Sequence, residues 1–191
     1  MCRNCNAQCN GCIGDGVKLN RECTACTNLF SSSTGDCVAS CSFDKEYLET
    51  GSKVCQACNS ECVSGCFGPG QFECKKCRTY QFNIADAETI ITATGKTMQD
   101  ELNLPNESFD RLSVTRKIEY INRIIMSQEA TSDLTSGRSE IFNNVRQYYT
   151  KKLESLNSSS FVSAQDYNAF CVSSCPPEFP YKNADNFCAA K

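Results

Sequence analysis

From Leu112 onward, Val114, Ile118, Ile121 and Ile125 recur at intervals of four, three and four, the spacing of one helical face. Ser113, Arg116, Glu119, Asn122 and Arg123 fill the remaining positions, so the stripe predicts an amphipathic helix over about residues 108–128. Phe142, Val145, Tyr149, Leu153 and Leu156 form a second stripe and predict a helix over about residues 139–156. Between them the segment Asp133 to Ser139 is polar, contains Gly137 and reads as a loop. Two striped helices joined by a short polar loop bury both faces as an antiparallel hairpin. Upstream, Thr89-Ile90-Ile91-Thr92-Ala93-Thr94 is rich in β-branched residues and predicts a strand or extended segment.

Outside this middle region the pattern changes. Leu, Ile and Val are sparse, and cysteine takes the apolar positions: residues 1–77 hold fourteen, 78–170 none and 171–191 three. Such segments bury little core and must be held by cross-links. Seventeen cysteines in 191 residues mark a disulfide scaffold made in an oxidising compartment.

The rest of the composition narrows function by exclusion. Histidine is absent, which removes the usual general base at neutral pH and every Cys/His or Ser/His/Asp triad. A formal charge of −3 leaves no basic footprint for nucleic acid. No run of 18 apolar residues is present to span a membrane. Met1 is followed at once by Cys2, Arg3, Asn4 and Cys5, without an apolar leader, so a disulfide protein of this kind is expected to be a fragment of a longer secreted or surface protein.

The cysteine spacing repeats. The first copy runs Cys2-x2-Cys5-x3-Cys9-x2-Cys12-x10-Cys23-x2-Cys26-x10-Cys37-x3-Cys41-x13-Cys55. The second begins at Cys55 and runs through Cys58, Cys62, Cys66, Cys74 and Cys77, then resumes after 93 residues at Cys171, Cys175 and Cys188. Taken alone, Cys9-x2-Cys12-x10-Cys23-x2-Cys26 also suits a four-cysteine zinc ribbon, and a Cys-x2-Cys suits a redox motif. Repetition and the x3 spacings favour disulfide modules over both. Gly68-Pro69-Gly70 reads as a turn, and Lys75 and Lys76 as a solvated pair.

The run Cys55-Gln-Ala-Cys58-Asn-Ser-Glu-Cys62-Val-Ser-Gly-Cys66-Phe-Gly-Pro-Gly-Gln-Phe-Glu-Cys74-Lys-Lys-Cys77, continued by Cys171-Val-Ser-Ser-Cys175-Pro-Pro, resembles the furin-like cysteine-rich modules of the epidermal growth factor receptor family. Insulin-receptor cysteine-rich regions share the pattern. The resemblance covers residues 2–80 and 171–190. It implies small disulfide-rich modules of short β-hairpins and loops: one over residues 2–54, and a second over 55–80 plus 171–190. An insertion over 81–170 carries the two helices.

The family's pairing rule, carried onto these positions, implies Cys5–Cys12, Cys9–Cys23, Cys26–Cys37 and Cys41–Cys55, then Cys58–Cys66, Cys62–Cys74, Cys77–Cys171 and Cys175–Cys188. Cys2 is left unpaired, its partner belonging to a preceding module. The resemblance further implies a non-catalytic, extracellular, rod-like part of a cell-surface receptor tyrosine kinase, spacing ligand-binding domains and supporting dimerisation. Its partners would be a protein ligand or a second receptor chain, with no cofactor and no catalytic or metal-ligating residue. A cysteine-rich surface coat protein of a protist is the alternative, beside the zinc-ribbon reading. The family's dimerisation arm lies in the loops after Cys41 and Cys175, so its role does not transfer to the insertion. The helical pair is expected to be a small self-contained subdomain, or else a face for a ligand or second chain. Asn106-Glu107-Ser108 and Asn157-Ser158-Ser159 are N-glycosylation sequons in polar stretches at its two ends.

Overall fold

The computed structural model describes residues 5–13, 23–105, 107–131, 136–157 and 167–190. They form two compact units, one of residues up to Pro69 with Glu73–Lys76, the other of Gly70–Phe72 with residues from Cys77 onward. The fold class is that of small disulfide-rich modules with short strands and a helical hairpin.

In the first unit, β1 (Leu29–Ser31), β2 (Cys37–Val38), β3 (Glu46–Leu48) and β4 (Val54–Ala57) make a sheet in the order β2-β1-β4-β3. β1 runs parallel to β4, and the outer pairs are antiparallel. β5 (Cys62–Cys66) pairs with β6 (Cys74–Cys77). Cys37, Cys41, Cys55, Cys62 and Cys66 are all buried, so half-cystines stand where aliphatic side chains would form a core. The chain turns at Gly65, whose φ of +94° and close approach to the Phe43 carbonyl leave no room for a Cβ.

The second unit begins with β7 (Tyr80–Asn83), which leads into α1 (Ile84–Thr97) and the single turn α2 (Gln99–Leu102). Then come α3 (Val114–Thr131), α4 (Ser136–Asn157), β8 (Ala169–Val172), β9 (Tyr181–Lys182) and β10 (Cys188–Ala189). β7 pairs antiparallel with β8, and β9 with β10. α3 and α4 form the expected hairpin, but it does not close on itself. Ile121, Ile124 and Ile125 of α3 and Ile141, Phe142 and Val145 of α4 pack in one core with Ile90 and Ile91 of α1. Phe82 of β7, Phe170 and Val172 of β8, and Cys188 of β10 belong to that same core.

Several sequence expectations are corrected here. Thr89–Thr94 is helical, within α1, because Ile84, Ala87, Ile90 and Ile91 present one buried face. The threonine hydroxyls are satisfied inside the helix, Thr89 donating to the Ala85 carbonyl at 3.1 Å and Thr92 to that of Glu88 at 2.7 Å. Gly137 lies in α4 rather than in a loop. The buried stripe of α3 is rotated from the expected one: Ile118 is only half-buried, while Lys117, Tyr120, Ile124 and Gln128 are buried. Leu156, expected on the buried face of α4, is 67% exposed, because the core ends at Tyr149. α1 and α3 approach closely at Gly95, where the Tyr120 ring fills the space a Cβ would need.

Candidate functional site: the disulfide framework

Short strands bring the cysteines into pairs. Cys5 is bonded to Cys12 and Cys9 to Cys23, two bonds that cross in sequence, with Cα separations of 5.7 and 5.1 Å. Cys26–Cys37 and Cys41–Cys55 follow as sequence neighbours, at 5.2 and 5.4 Å. Cys58–Cys66 and Cys62–Cys74 cross again, at 5.7 and 4.9 Å. Cys77–Cys171 and Cys175–Cys188 are again neighbours, at 5.3 and 5.5 Å. All eight separations lie within disulfide reach. Cys2 lies outside the described residues.

This arrangement bears on metal and redox chemistry. Cys9, Cys12, Cys23 and Cys26, the four of the zinc-ribbon spacing, are each bonded to another cysteine, so none offers a thiolate. Among the described residues, no group of three or more His, Cys, Asp or Glu side chains is placed to hold a metal. No described helix is long and apolar enough to cross a membrane.

Seven of the eight bonds close short loops, with sequence separations of 7 to 14, whereas Cys77–Cys171 spans 94. Closure of the long loop contributes about 4–5 kcal/mol on the chain-entropy account, against about 3 kcal/mol or less for the short ones. The sulfurs of the long bond are brought together by the β7–β8 ladder, in which Gln81 faces Cys171 and Phe82 faces Phe170.

Buried polar groups reinforce each unit. Glu46 is 3% exposed and accepts from the Ser31 and Ser33 hydroxyls and, at 3.0 Å, from the Ser42 N–H. Burial alone would push its carboxyl up, but these hydrogen bonds together outweigh burial and hold it below its ordinary value. Gly68 of the Gly-Pro-Gly turn lacks a side chain because the buried Glu73 carboxyl occupies that space. Lys75, exposed as expected, lies 5.4 Å from the Phe67 ring centre.

In the second unit the Lys117 ammonium donates to the Tyr149 hydroxyl at 2.9 Å, lies 3.5 Å from the Glu88 carboxylate and sits 4.9 Å from the Phe109 ring centre. The Tyr149 hydroxyl in turn donates to Glu88. Sequence reading missed this cluster, although Lys117 stands three residues after Val114 and four before Ile121, on the apolar stripe itself. Glu140 of α4 accepts from the Ser173 N–H and hydroxyl and from the Gln71 side chain. Those contacts fasten α4 to the segment between Cys171 and Cys175. Of the two sequon asparagines, Asn157 is the last residue of α4 and exposed, rather than in a loop, and Asn106 lies outside the described residues.

No protein-family model matches the chain. Over 84 residues, 44% of the chain, it is 38% identical to the epidermal growth factor receptor of Apis mellifera. It is 33% identical over 101 residues to cysteine-rich with EGF-like domain protein 2-A of Xenopus laevis, and 36% identical over 80 to proprotein convertase subtilisin/kexin type 5 of Mus musculus. The chain spans 6%, 27% and 4% of the length of these relatives. With the disulfide pattern, these matches make the cysteine-rich part of the chain similar to the furin-like cysteine-rich repeats of the epidermal growth factor receptor and to cysteine-rich EGF-like proteins.

Proposed function

We propose that this chain is part of the extracellular region of a cell-surface growth-factor receptor, where it spaces ligand-binding domains and supports association with a second receptor chain. The observation that carries this reading is the alternation of crossed and neighbouring disulfides, in a chain 38% identical over 84 residues to the Apis mellifera receptor. A module whose core is half-cystine keeps its shape without a large apolar interior, which suits a spacer between larger domains. Binding, not catalysis, is the role left to it. Two segmental repeats, residues 2–54 and 55–80 with 171–190, are the units of that spacer, and 81–170 is an elaboration of the second.

The test is surface labelling of the full-length protein in intact cells, combined with chemical cross-linking. This reading expects the cysteine-rich residues to be labelled from outside and cross-linked dimers to be recovered. Retention of the protein within the secretory pathway, unlabelled and monomeric, would contradict it and point instead to a lumenal role.

A further inference from the structure

We propose that the first cysteine module carries a thiol-exchange site, in which a small anionic thiol enters a groove beside Cys23 and transfers the bonding of Cys9 to Cys26. The Thr27 N–H donates to the Gln8 carbonyl at 2.9 Å, and the Asn10 N–H to the Ala25 carbonyl at 2.7 Å. Those two bonds flank Cys9 and Cys26, which makes them a non-hydrogen-bonded antiparallel pair. In such a pair the Cα atoms stand about 4.5 Å apart, within the span that a disulfide bridges. Yet Cys9 is bonded to Cys23, and Cys26 to Cys37. Each half-cystine thus faces one from the other bond, and a Cys9–Cys26 bond is within reach of the backbone as it stands.

A groove of about 380 Å³ opens on this cluster, a volume that suits a small ligand. Cys23, Cys26 and Cys37 line it, together with Lys53 and with Phe30, which is 41% exposed. Among the described residues lining the groove, Lys53 is the one charged side chain, so the groove favours an anionic ligand, and a thiolate over a thiol. Cys9, Cys23 and Cys26 are partly exposed. Cys62, the counterpart of Cys9 in the second module, is buried, which sets the first module apart.

The four half-cystines are all bonded at rest, so the ligand supplies the thiolate. It attacks the Cys23 sulfur; a mixed disulfide forms there, and Cys9 leaves as a thiolate. The Cys9 thiolate then attacks Cys26 across the strand pair, forming Cys9–Cys26 and releasing Cys37. The Lys53 ammonium, in the same groove as Cys37, favours its departure as a thiolate. The proton lost by the ligand thiol ends on Cys37. Each step breaks one disulfide and forms one, with no net oxidation or reduction.

The experiment incubates the full-length protein at low ionic strength with reduced glutathione, an anionic thiol, or with cysteamine, a cationic one, at matched thiolate concentration. Samples are quenched with acid over time, alkylated and mapped as non-reduced peptides. The expected first product carries glutathione on Cys23, a Cys9–Cys26 bond and an alkylated Cys37, with Cys58–Cys66 and Cys62–Cys74 intact. Lys53→Gln, a change at an exposed position, should lower the glutathione rate several-fold relative to the cysteamine rate. Glutathione appearing first in the second module, or an alkylated Cys9 beside an unbroken Cys26–Cys37 bond, overturns the inference. A rate ratio unchanged by Lys53→Gln overturns it too. Should that variant misfold, the product map of the unaltered protein decides alone. Each of the contrary results leaves the receptor reading standing.

Discussion

Phe82 and Phe170 face each other directly across the β7–β8 ladder, both buried, with ring centres 5.9 Å apart and inclined edge to face. The next residue after Phe170 is Cys171, half of the bond that closes the long loop. The β7–β8 pair thus carries one half of that disulfide, Cys171, together with a wall of the helical core. Truncating Phe170→Ala should cost about 3–5 kcal/mol. Thermal unfolding followed by helical circular dichroism should show one transition, shifted down. Helices that melt at an unchanged temperature would show that the strands and helices are energetically separate.

The same relationship decides what happens if the helices are removed. Replacing residues 84–168 with a Gly/Ser linker strips Phe82, Phe170, Val172 and Cys188 of their helical packing partners, leaving only contacts such as Phe82 with Phe170 and Phe179. Alkylation followed by mass spectrometry should then find free thiols at Cys77 and Cys171. Cys41–Cys55 and Cys58–Cys66, which close short loops in the first unit, should still form. Complete oxidation of the shortened protein would mean that the insertion is separable after all.

The sequence carried the cysteine modules and the helical pair more clearly than the way they are joined. Cysteine spacing is a direct record of module architecture, and the stripes of Ile121, Ile125, Phe142 and Val145 match the period of a helix. α1 was hidden because its Thr-Ile-Ile-Thr run favours strand locally, and burial against α3 and α4 overrides that preference. The stripe of Val114, Ile118, Ile121 and Ile125 leaves Lys117 out, although its spacing from Val114 and Ile121 puts it on the buried face. The Cys77–Cys171 pairing implied by the resemblance brings the two ends of the insertion together, but nothing along the chain sets Phe82 opposite Phe170 or ties both to the helices.

Buried charge in the second unit gives a test of the Lys117 cluster. Glu88→Ala leaves the Lys117 ammonium buried without its carboxylate partner and should destabilise by about 1–3 kcal/mol, reduced from a fully buried pair because Glu88 is one-quarter exposed. Lys117→Met removes the charge and keeps the packing, and should be close to neutral. Denaturant midpoints of the two variants would check this. Equal losses would mean that the ammonium's polar contacts are themselves net stabilising, contrary to this account.

Glu46 contributes acid sensitivity to the first unit. Its folded carboxyl titrates below the ordinary value of 4.5, so the unfolded chain takes up its proton first as pH falls. Its contribution is therefore present above about pH 4.5 and is lost as pH drops through the lower folded value. Denaturant unfolding across that window should show a fall in stability that Glu46→Gln flattens. An unchanged slope in the variant would assign the acid sensitivity to other carboxylates.

The central claim is that crossed and neighbouring disulfides, one of them closing a 94-residue span, hold these modules together. Non-reducing peptide mapping of the secreted protein tests it most directly. The account predicts a peptide containing Cys77 linked to one containing Cys171, and Cys5–Cys12 interlocked with Cys9–Cys23. Cys9 bonded to Cys12, Cys74 bonded to Cys77, or zinc recovered with free thiols would contradict it.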